Sequence, residues 1–439
     1  MDYRIGFVSL GCAKNLVNSE QMMFLLSDAG FDVSGDTENV DAVVVNTCGF
    51  IDSSKAEAID TILELAQGKA EGSIGRIIVT GCLAQRYKDE ILKEMPEVDA
   101  VCGVGSFFDI VDVVKRTLEG ERVARYGDID APETETGRVL TTSPQWEYVK
   151  IAEGCDNRCA YCIIPYLRGR FRSRRLEDIV SEAQLLAQNG IKELIVVAQD
   201  ITRYGTDIYG ERALAGLLRA LAEIDGIEWI RLHYLYPDEI DDELIDVIVG
   251  EPKILKYLDI PIQHIDDKIL KTMCRRGTGG EIRELFKKLR ERIPGVVLRT
   301  SLITGLPGEG EEEFLKLCDF LREAKIERAG VFPFSPEEGT PAAKMDYPDE
   351  DTARRRAEIV MDIQDGIMEE FNTSRIGTVT RVLVEDFDGT YYFGRSFAES
   401  PDIDGRIMFT SDDLITEDFA DVVITDIIDG EPFGKKYQA

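Results

Sequence analysis

The chain has 439 residues, 44% of them apolar, which is enough for two to four domains of roughly 150 residues with cores of their own. No run approaches the ~18 uninterrupted apolar residues that cross a bilayer, and the start, MDYRIGFVSLGC, enters a strand pattern at once instead of an export signal, so a cytoplasmic protein with no membrane partner is expected. The formal charge of −32 repels polyanions at long range and attracts basic partners, although a merely well-solvated surface carries the same sign.

Up to about residue 127, the short runs IGFVSLGC, DAVVVNTC, RIIVTGC and DAVCGVG alternate with helical patterns, which predicts βαβ units on a parallel sheet. Cys12, Cys48 and Cys82 each follow directly on a predicted strand. The carboxyl ends of parallel strands line one crevice, so three such cysteines can converge on a three-thiolate site. Three small hydrophobes packing at strand ends would leave the same signature. Cys102 also follows a short strand and reads better as core packing than as a fourth ligand. The polar, proline-containing stretch 128–143 reads as a linker.

Over 144–371 the alternation resumes with six candidate strands, EYVKIAEG, KELIVVAQD, WIRLHYLYP, YLDIPIQH, VLRTSLITG and RAGVFPFS. Helical patterns lie between them, as in LEDIVSEAQLLAQNG, where Asn189 and Gly190 are stop signals. Six repeats are too few for a closed eight-stranded barrel, so an open, partial (β/α)6 barrel is expected. From 372 to 439, TVTRVLVE, TYYFGRSF and DVVITDII with Gly and Asp turns predict a small antiparallel β-barrel. The fold class is therefore α/β in the first two regions and all-β in the third.

The stretch GCDNRCAYCIIP, residues 154–165, places Cys155, Cys159 and Cys162 on the loop after the first barrel strand, at the edge where such barrels keep their active sites. Nine cysteines in a reducing compartment are not a disulfide scaffold. A zinc site wants four Cys or His ligands, and His233 and His264 are far off in sequence. An iron–sulfur cluster held by three thiolates leaves one iron open for a small molecule. Cys274 and Cys318, in helical stretches, read as packing residues. Gln199 and Asp200 end the second barrel strand, where a polar pair contacts cofactor or substrate, or simply caps. In YLRGRFRSRR, Arg168, Arg170, Arg172 and Arg174 alternate, so an extended chain would point all four to one side, as a solvated face or as a bidentate grip on a carboxylate. His264 reads as a satisfied strand-end residue, and the glycines of ITGLPGEG, without the spacing and Lys of a P-loop, as a strand-to-helix turn.

GCDNRCAYCIIP resembles the cluster loop of radical S-adenosylmethionine enzymes, and together with SLGCAKN, VVNTCGF and IVTGCLAQR the whole chain resembles the methylthiotransferases. The resemblance implies a cysteine-bearing domain over 1–127, a radical core over 144–371 and a TRAM domain over 372–439. It implies two 4Fe–4S clusters, one on Cys155, Cys159 and Cys162 that binds S-adenosylmethionine, the other on Cys12, Cys48 and Cys82. It places Tyr161 against the adenine of S-adenosylmethionine, requires an external electron donor, and makes the reaction a transferase step that turns C–H into C–SCH3. The opening SLGCAKNLVNSE favours the branch that modifies the β-carbon of an aspartate in small-subunit ribosomal protein uS12 over the branch acting on a tRNA adenosine. A non-enzymatic iron–sulfur scaffold would have little use for a partial barrel. Residues 372–439 hold 14 acidic and 6 basic side chains, so this TRAM domain departs from the RNA binding expected of its kind; tRNA is not expected to bind, and a basic ribosomal protein is the expected partner.

Overall fold

The computed structural model describes residues 3–438. Its first sheet is built from β1 (Arg4–Ser9), β2 (Asp32–Ser34), β3 (Ala42–Thr47), β4 (Ile77–Gly81), β5 (Ala100–Gly103) and β6 (Val123–Arg125), in the order β2-β1-β3-β4-β5-β6 and parallel throughout. Every residue of β3 is buried, and its run 42–45 is the apolar pattern that a parallel strand covered on both faces requires. On one face, α1 (Ala13–Asp28) sets Met22, Met23 and Leu26 against Ile5, Phe7 and Val44. On the other, α2 (Asp52–Glu71) sets Ala58, Ile62 and Leu65 against Val43, Val45 and Ile77. The sheet has two strands more than the sequence suggests, because β2 and β6 are three-residue edges too short to show a hydrophobic run.

The second sheet joins β7 (Trp146–Lys150) to five later strands; between them, β8 (Ala152–Glu153) and β9 (Arg172–Ser173) form a small antiparallel ladder that brackets the cysteine loop. The others are β10 (Glu193–Val197), β11 (Trp229–Leu232), β12 (Ile254–Asp259), β13 (Val297–Thr304) and β14 (Arg328–Pro333). The order β14-β13-β12-β11-β10-β7 is parallel and open, the partial barrel that six repeats imply. Its outer face packs on helices such as Leu176–Gln188 through Ile179, Ala183 and Leu186. Its inner face is covered twice: Ala13, Leu16 and Val17 of α1 lie on Trp146, Tyr148, Ile195 and Val197, and Leu383 and Ala398 lie on Trp229, Leu255 and Tyr257.

The third unit is a closed barrel of β15 (Val379–Phe387), β16 (Tyr392–Arg395), β17 (Ile407–Thr410), β18 (Phe419–Ile428) and β19 (Glu431–Lys436), in the order β15-β16-β17-β19-β18. It is antiparallel except where β17 meets β19, and it closes on Val382, Tyr392, Ile407, Phe409, Val422 and Ile424.

Two boundaries read from the sequence shift. The division at 372 falls in the last turn of the helix Glu350–Ser374, whose Asn372 Nδ2 donates to Gly430 O at 2.8 Å and ties the helix end to the barrel. The stretch 128–143 has no helix or strand, yet it is a strap and not a free spacer: Arg138, its side chain 4% exposed, pairs with Glu20 of α1, Glu147 of β7 and Glu182 of the helix Leu176–Gln188. Composition alone cannot show this, because the partners lie up to 118 residues away. Among the described residues no helix is long and apolar enough to cross a membrane.

Candidate functional site

Cys12 and Cys48 stand just beyond the carboxyl ends of β1 and β3, and Cys82 opens α3 (Cys82–Tyr87) straight after β4. Two glycines bring them together. Gly11 has φ +93°, and a Cβ there would stand 2.7 Å from Cys48 Cβ. A Cβ on Gly49 would stand 3.1 Å from the carbonyl carbon of Cys82, so any larger residue would push the second cysteine off the third. Burial pushes the Cys12 thiol up, but the Lys14 ammonium and Arg168 guanidinium outweigh it and the net displacement is downward. Burial raises Cys82 to about 11 against the pull of Arg168.

The second triplet lies on the loop between β8 and β9. Cys155 N donates to Gly169 O at 3.1 Å and Cys162 N to Cys159 O at 3.0 Å, while Ala160 is pinned by Met273 O at 2.9 Å. Asn157 Nδ2 donates to Asp200 at 2.7 Å, which fastens the loop to the end of β10. Burial lifts Cys155 to about 11, and burial with the neighbouring Cys159 lifts Cys162 well above its ordinary value. Cys159 Sγ faces Tyr236 Oη at 3.9 Å and Arg275 Nη1 at 3.8 Å.

The two cysteine-bearing segments meet at one seam. Cys82 packs in one apolar cluster with Ile163, the residue after Cys162, and with Leu167. Next to Leu167, Arg168 ends the short helix Ile164–Arg168; its guanidinium reaches Asn15 at 3.0 Å, Asn18 at 3.2 Å and Glu153 at 2.9 Å. Lys14 crosses from α1 onto the ring of Tyr234, with Nζ 3.6 Å from the centroid.

Of the other residues singled out in the sequence, Tyr161 is half-buried against Ala160, Ile269, Leu306 and Phe334, and burial raises its hydroxyl pKa, with Cys159 and Arg275 acting on it in opposite directions. Gln199 Nε2 donates to Glu153 at 2.7 Å, and its Oε1 is buried without a partner. Asp200 caps the turn Ile201–Arg203 by accepting from Thr202 N at 3.1 Å, and burial raises its pKa. The four alternate arginines do not share a face. Pro165 near the start of the helix Ile164–Arg168 turns Arg168 inward, Arg174 is buried against Glu135 and Glu182, and only Arg170 is exposed. Cys274 is no packing residue: it lies exposed beyond the helix Asp267–Thr272 with φ +55°. Cys318 and Cys102 are buried in apolar clusters, and Cys102 Sγ lies 3.1 Å from Ser106 O. His264 Nδ1 accepts from Asp266 N, a structural role, and His233 Nε2 lies 2.8 Å from Ser400 Oγ. Lys14, Glu153 and Arg275 are the site residues that sequence reasoning passed over; for Glu153 the signal was charge inside an otherwise apolar run, EYVKIAEG.

Among the described residues no three His, Cys, Asp or Glu side chains are drawn close enough to hold a single metal ion. One zinc would need its sulfurs within about 2.3 Å of a common point, whereas a cluster spreads its thiolates over separate irons. Three thiolates per set, with Arg275 beside one and Lys14 and Arg168 beside the other to offset their charge, fit that group. Of two surface clefts of about 430 Å3, one borders the seam through Ile163 and Leu167 and the other lies near Asp238 and Arg276; no cysteine lines either.

The description "Uncharacterized protein family UPF0004" matches residues 4–103, "Radical SAM superfamily" residues 149–321, and "TRAM domain" residues 376–433. The ribosomal protein uS12 methylthiotransferase RimO of Acetivibrio thermocellus is 48% identical over 99% of this chain and 98% of its own. That of Lachnoclostridium phytofermentans is 49% identical over 96% and 97%. Among solved structures, the radical S-adenosylmethionine methyltransferase TsrM of Kitasatospora setae, with cobalamin and a [4Fe-4S] cluster bound, aligns over 78% of this chain and 77% of its own with a TM-score of 0.55 and 15% identity, a likeness of fold.

Proposed function

The chain belongs to the RimO family of radical S-adenosylmethionine methylthiotransferases, and from that membership we propose its substrate and its metal ligands. It transfers a methylthio group to the β-carbon of an aspartate in ribosomal protein uS12. Cys155, Cys159 and Cys162 hold the cluster that binds S-adenosylmethionine, and Cys12, Cys48 and Cys82, in the 1–127 domain, hold a second. When bound, these groups would supply the radical chemistry and the sulfur. The observation that carries the reading is the packing of Cys82 on Ile163 and Leu167, next to the core cysteine loop.

The chain's own residues bind, orient and exclude water. Asn157 and Asp200 hold the core cysteine loop to the barrel edge, Tyr161 offers an aromatic face for the adenine, and Gln199 and Asp200 are further cofactor contacts. Arg168 and Glu153 fix the seam, and α1 covers the inner face of the barrel. An external donor provides the electron, and a reducing cytoplasm is where free thiols of this kind persist. A protein client over a tRNA is supported by the third domain, whose Arg375 and Arg395 are spent on Glu399 and Glu193.

The test is anaerobic reconstitution followed by iron and sulfide counts and mass spectrometry of uS12. About eight irons per chain, falling to about four when either triplet is changed to alanine, and a gain of one methylthio group on an aspartate are expected. Zinc, or one cluster only, overturns the ligand assignment.

A further inference from the structure

We propose that the Lys14 ammonium, held on the ring of Tyr234, receives the carboxylate of the substrate aspartate; this rests on the reading of an aspartate in uS12 as the substrate.

Lys14 is 7% exposed, and among the described residues no carboxylate comes within ion-pair distance of it; its charged surroundings are Tyr234, Cys12 and Arg168. Its one thiolate neighbour, Cys12, is shared with Arg168, so the ammonium has no carboxylate of its own, and a buried cation answered only in part is costly. The other cations at this rim are answered: Lys150 by Glu133 and Glu153, Arg168 by Glu153, Arg174 by Glu135 and Glu182, Arg299 by Asp259. Arg275 also lacks an acid, but it is taken up by Pro261 O and by Cys159 on the opposite side of the seam.

A second observation is independent of charge. Tyr234 has φ +65°, a left-handed conformation costly for a bulky side chain, of the order of 1–3 kcal/mol, and such strain collects at ligand sites. Both sides of its backbone are clamped, with Tyr234 N donating to Asp259 at 3.2 Å and Tyr234 O accepting from Ile201 N at 3.1 Å. The strained turn presents the ring to Lys14. An ammonium on a ring keeps donors free on its far side, and a carboxylate can take them with a charge-assisted bond.

The position suits the reaction. Lys14 is two residues from Cys12, so an acid held there lies beside the N-terminal cysteines. The reacting β-carbon of an aspartate is one bond, about 1.5 Å, from its carboxyl carbon, so fixing the carboxylate fixes the carbon. The same contact selects aspartate over asparagine, whose neutral amide leaves the ammonium unanswered.

The experiment uses reconstituted holoenzyme and intact uS12 with either Asp or Asn at the modified position, the Asn form being read as a competitor of the Asp form. Wild type is expected to bind the Asn form about tenfold or more weakly. Lys14→Gln should bring the two forms within about twofold of each other, and Lys14→Arg should keep most of the preference. Equal affinity in wild type, with the Asp form modified normally, overturns the proposal; so does a full preference in Lys14→Gln. The wild-type comparison needs no variant and decides the matter even if Lys14→Gln does not fold. Absence of any modification of uS12 by wild type would overturn the substrate reading and this proposal with it.

Discussion

Arg168 Nη1 lies 2.9 Å from Glu153 Oε2, with both side chains 2% exposed, and the same guanidinium holds Asn15 and Asn18 of α1. A desolvated ion pair within the barrel mouth therefore sets the guanidinium whose hydrogen bonds to Asn15 and Asn18 join the N-terminal domain to the core. Removing one partner of such a pair strands the other in low dielectric. Arg168→Met is expected to cost about 3–5 kcal/mol in urea denaturation of the metal-free protein. Arg168→Lys should cost less, but still lose the contacts to both asparagines. A loss below about 1 kcal/mol for Arg168→Met would show that the seam does not depend on this pair.

Glu153 gives that seam an acid dependence. Burial raises its pKa, but Arg168 and Lys150 outweigh burial and hold the carboxyl well below the usual range. A depressed acid contributes stability that is present above its unfolded pKa, about 4.3, and is lost as pH falls toward the folded value. Wild type should thus be more stable than Glu153→Gln at pH 7, with the gap narrowing below about pH 4. Parallel denaturation curves for the two proteins across pH 3–7 provide the check.

Glu147 has the opposite sign. Burial raises it, Arg138 lowers it, and Glu20, which claims the same guanidinium, raises it again, leaving it pushed up to about 7. A raised pKa means a contribution present below the unfolded value and lost as pH climbs through the folded one. Relative to wild type, Glu147→Gln should therefore gain about 2 kcal/mol of stability between pH 5 and pH 8. A gap that stays flat over that range would mean that Arg138 keeps both carboxylates ionised.

What could be read beforehand follows from the range of the interactions. The buried strands were legible because parallel strands covered on both faces are rich in β-branched residues, as in the three valines of β3. The place of the core cysteines on the loop after the first barrel strand, and of Cys12, Cys48 and Cys82 at strand ends, was legible because each follows directly on a strand pattern. The arginine stripe misled, since Pro165 starts a helical turn where alternation suggested an extended chain. The strap at 128–143 and the contacts of Arg168 were invisible because they pair residues as far as 153 apart, and composition carries no record of such partners.

Asp200 ties Asn157 of the cysteine loop to β10 and caps the following turn. Asp200→Ala should remove both contacts, at about 1–2 kcal/mol, and let the core loop loosen. Iron held by Cys155, Cys159 and Cys162 should then leave faster under a chelator, while iron on the N-terminal triplet leaves at the wild-type rate. Asp200→Asn, which can still accept from Thr202 N, should fall between the two. Equal release from both sites would sever the link between this aspartate and the loop.

The last prediction concerns what the third domain touches. Its six basic residues are largely consumed by the fold: Arg375 pairs with Glu399, Arg395 with Glu193 and Glu385, Arg381 with Glu228, and Lys435 with Asp412. That leaves Arg406, set over the Phe393 ring, and Lys436 against 14 acidic side chains over 372–439. Polyanion binding draws on released counterions, one for each phosphate neutralised, and two scattered cations offer little of this. Binding of uS12 should therefore weaken steadily as salt rises, because a basic protein meets a net charge of −32, whereas tRNA should bind poorly at every ionic strength. Fluorescence anisotropy of labelled uS12 and labelled tRNA from about 50 to 500 mM salt separates the cases. A tight tRNA complex that dissociates as salt is added would place the acidic barrel away from the contact and return the client to nucleic acid.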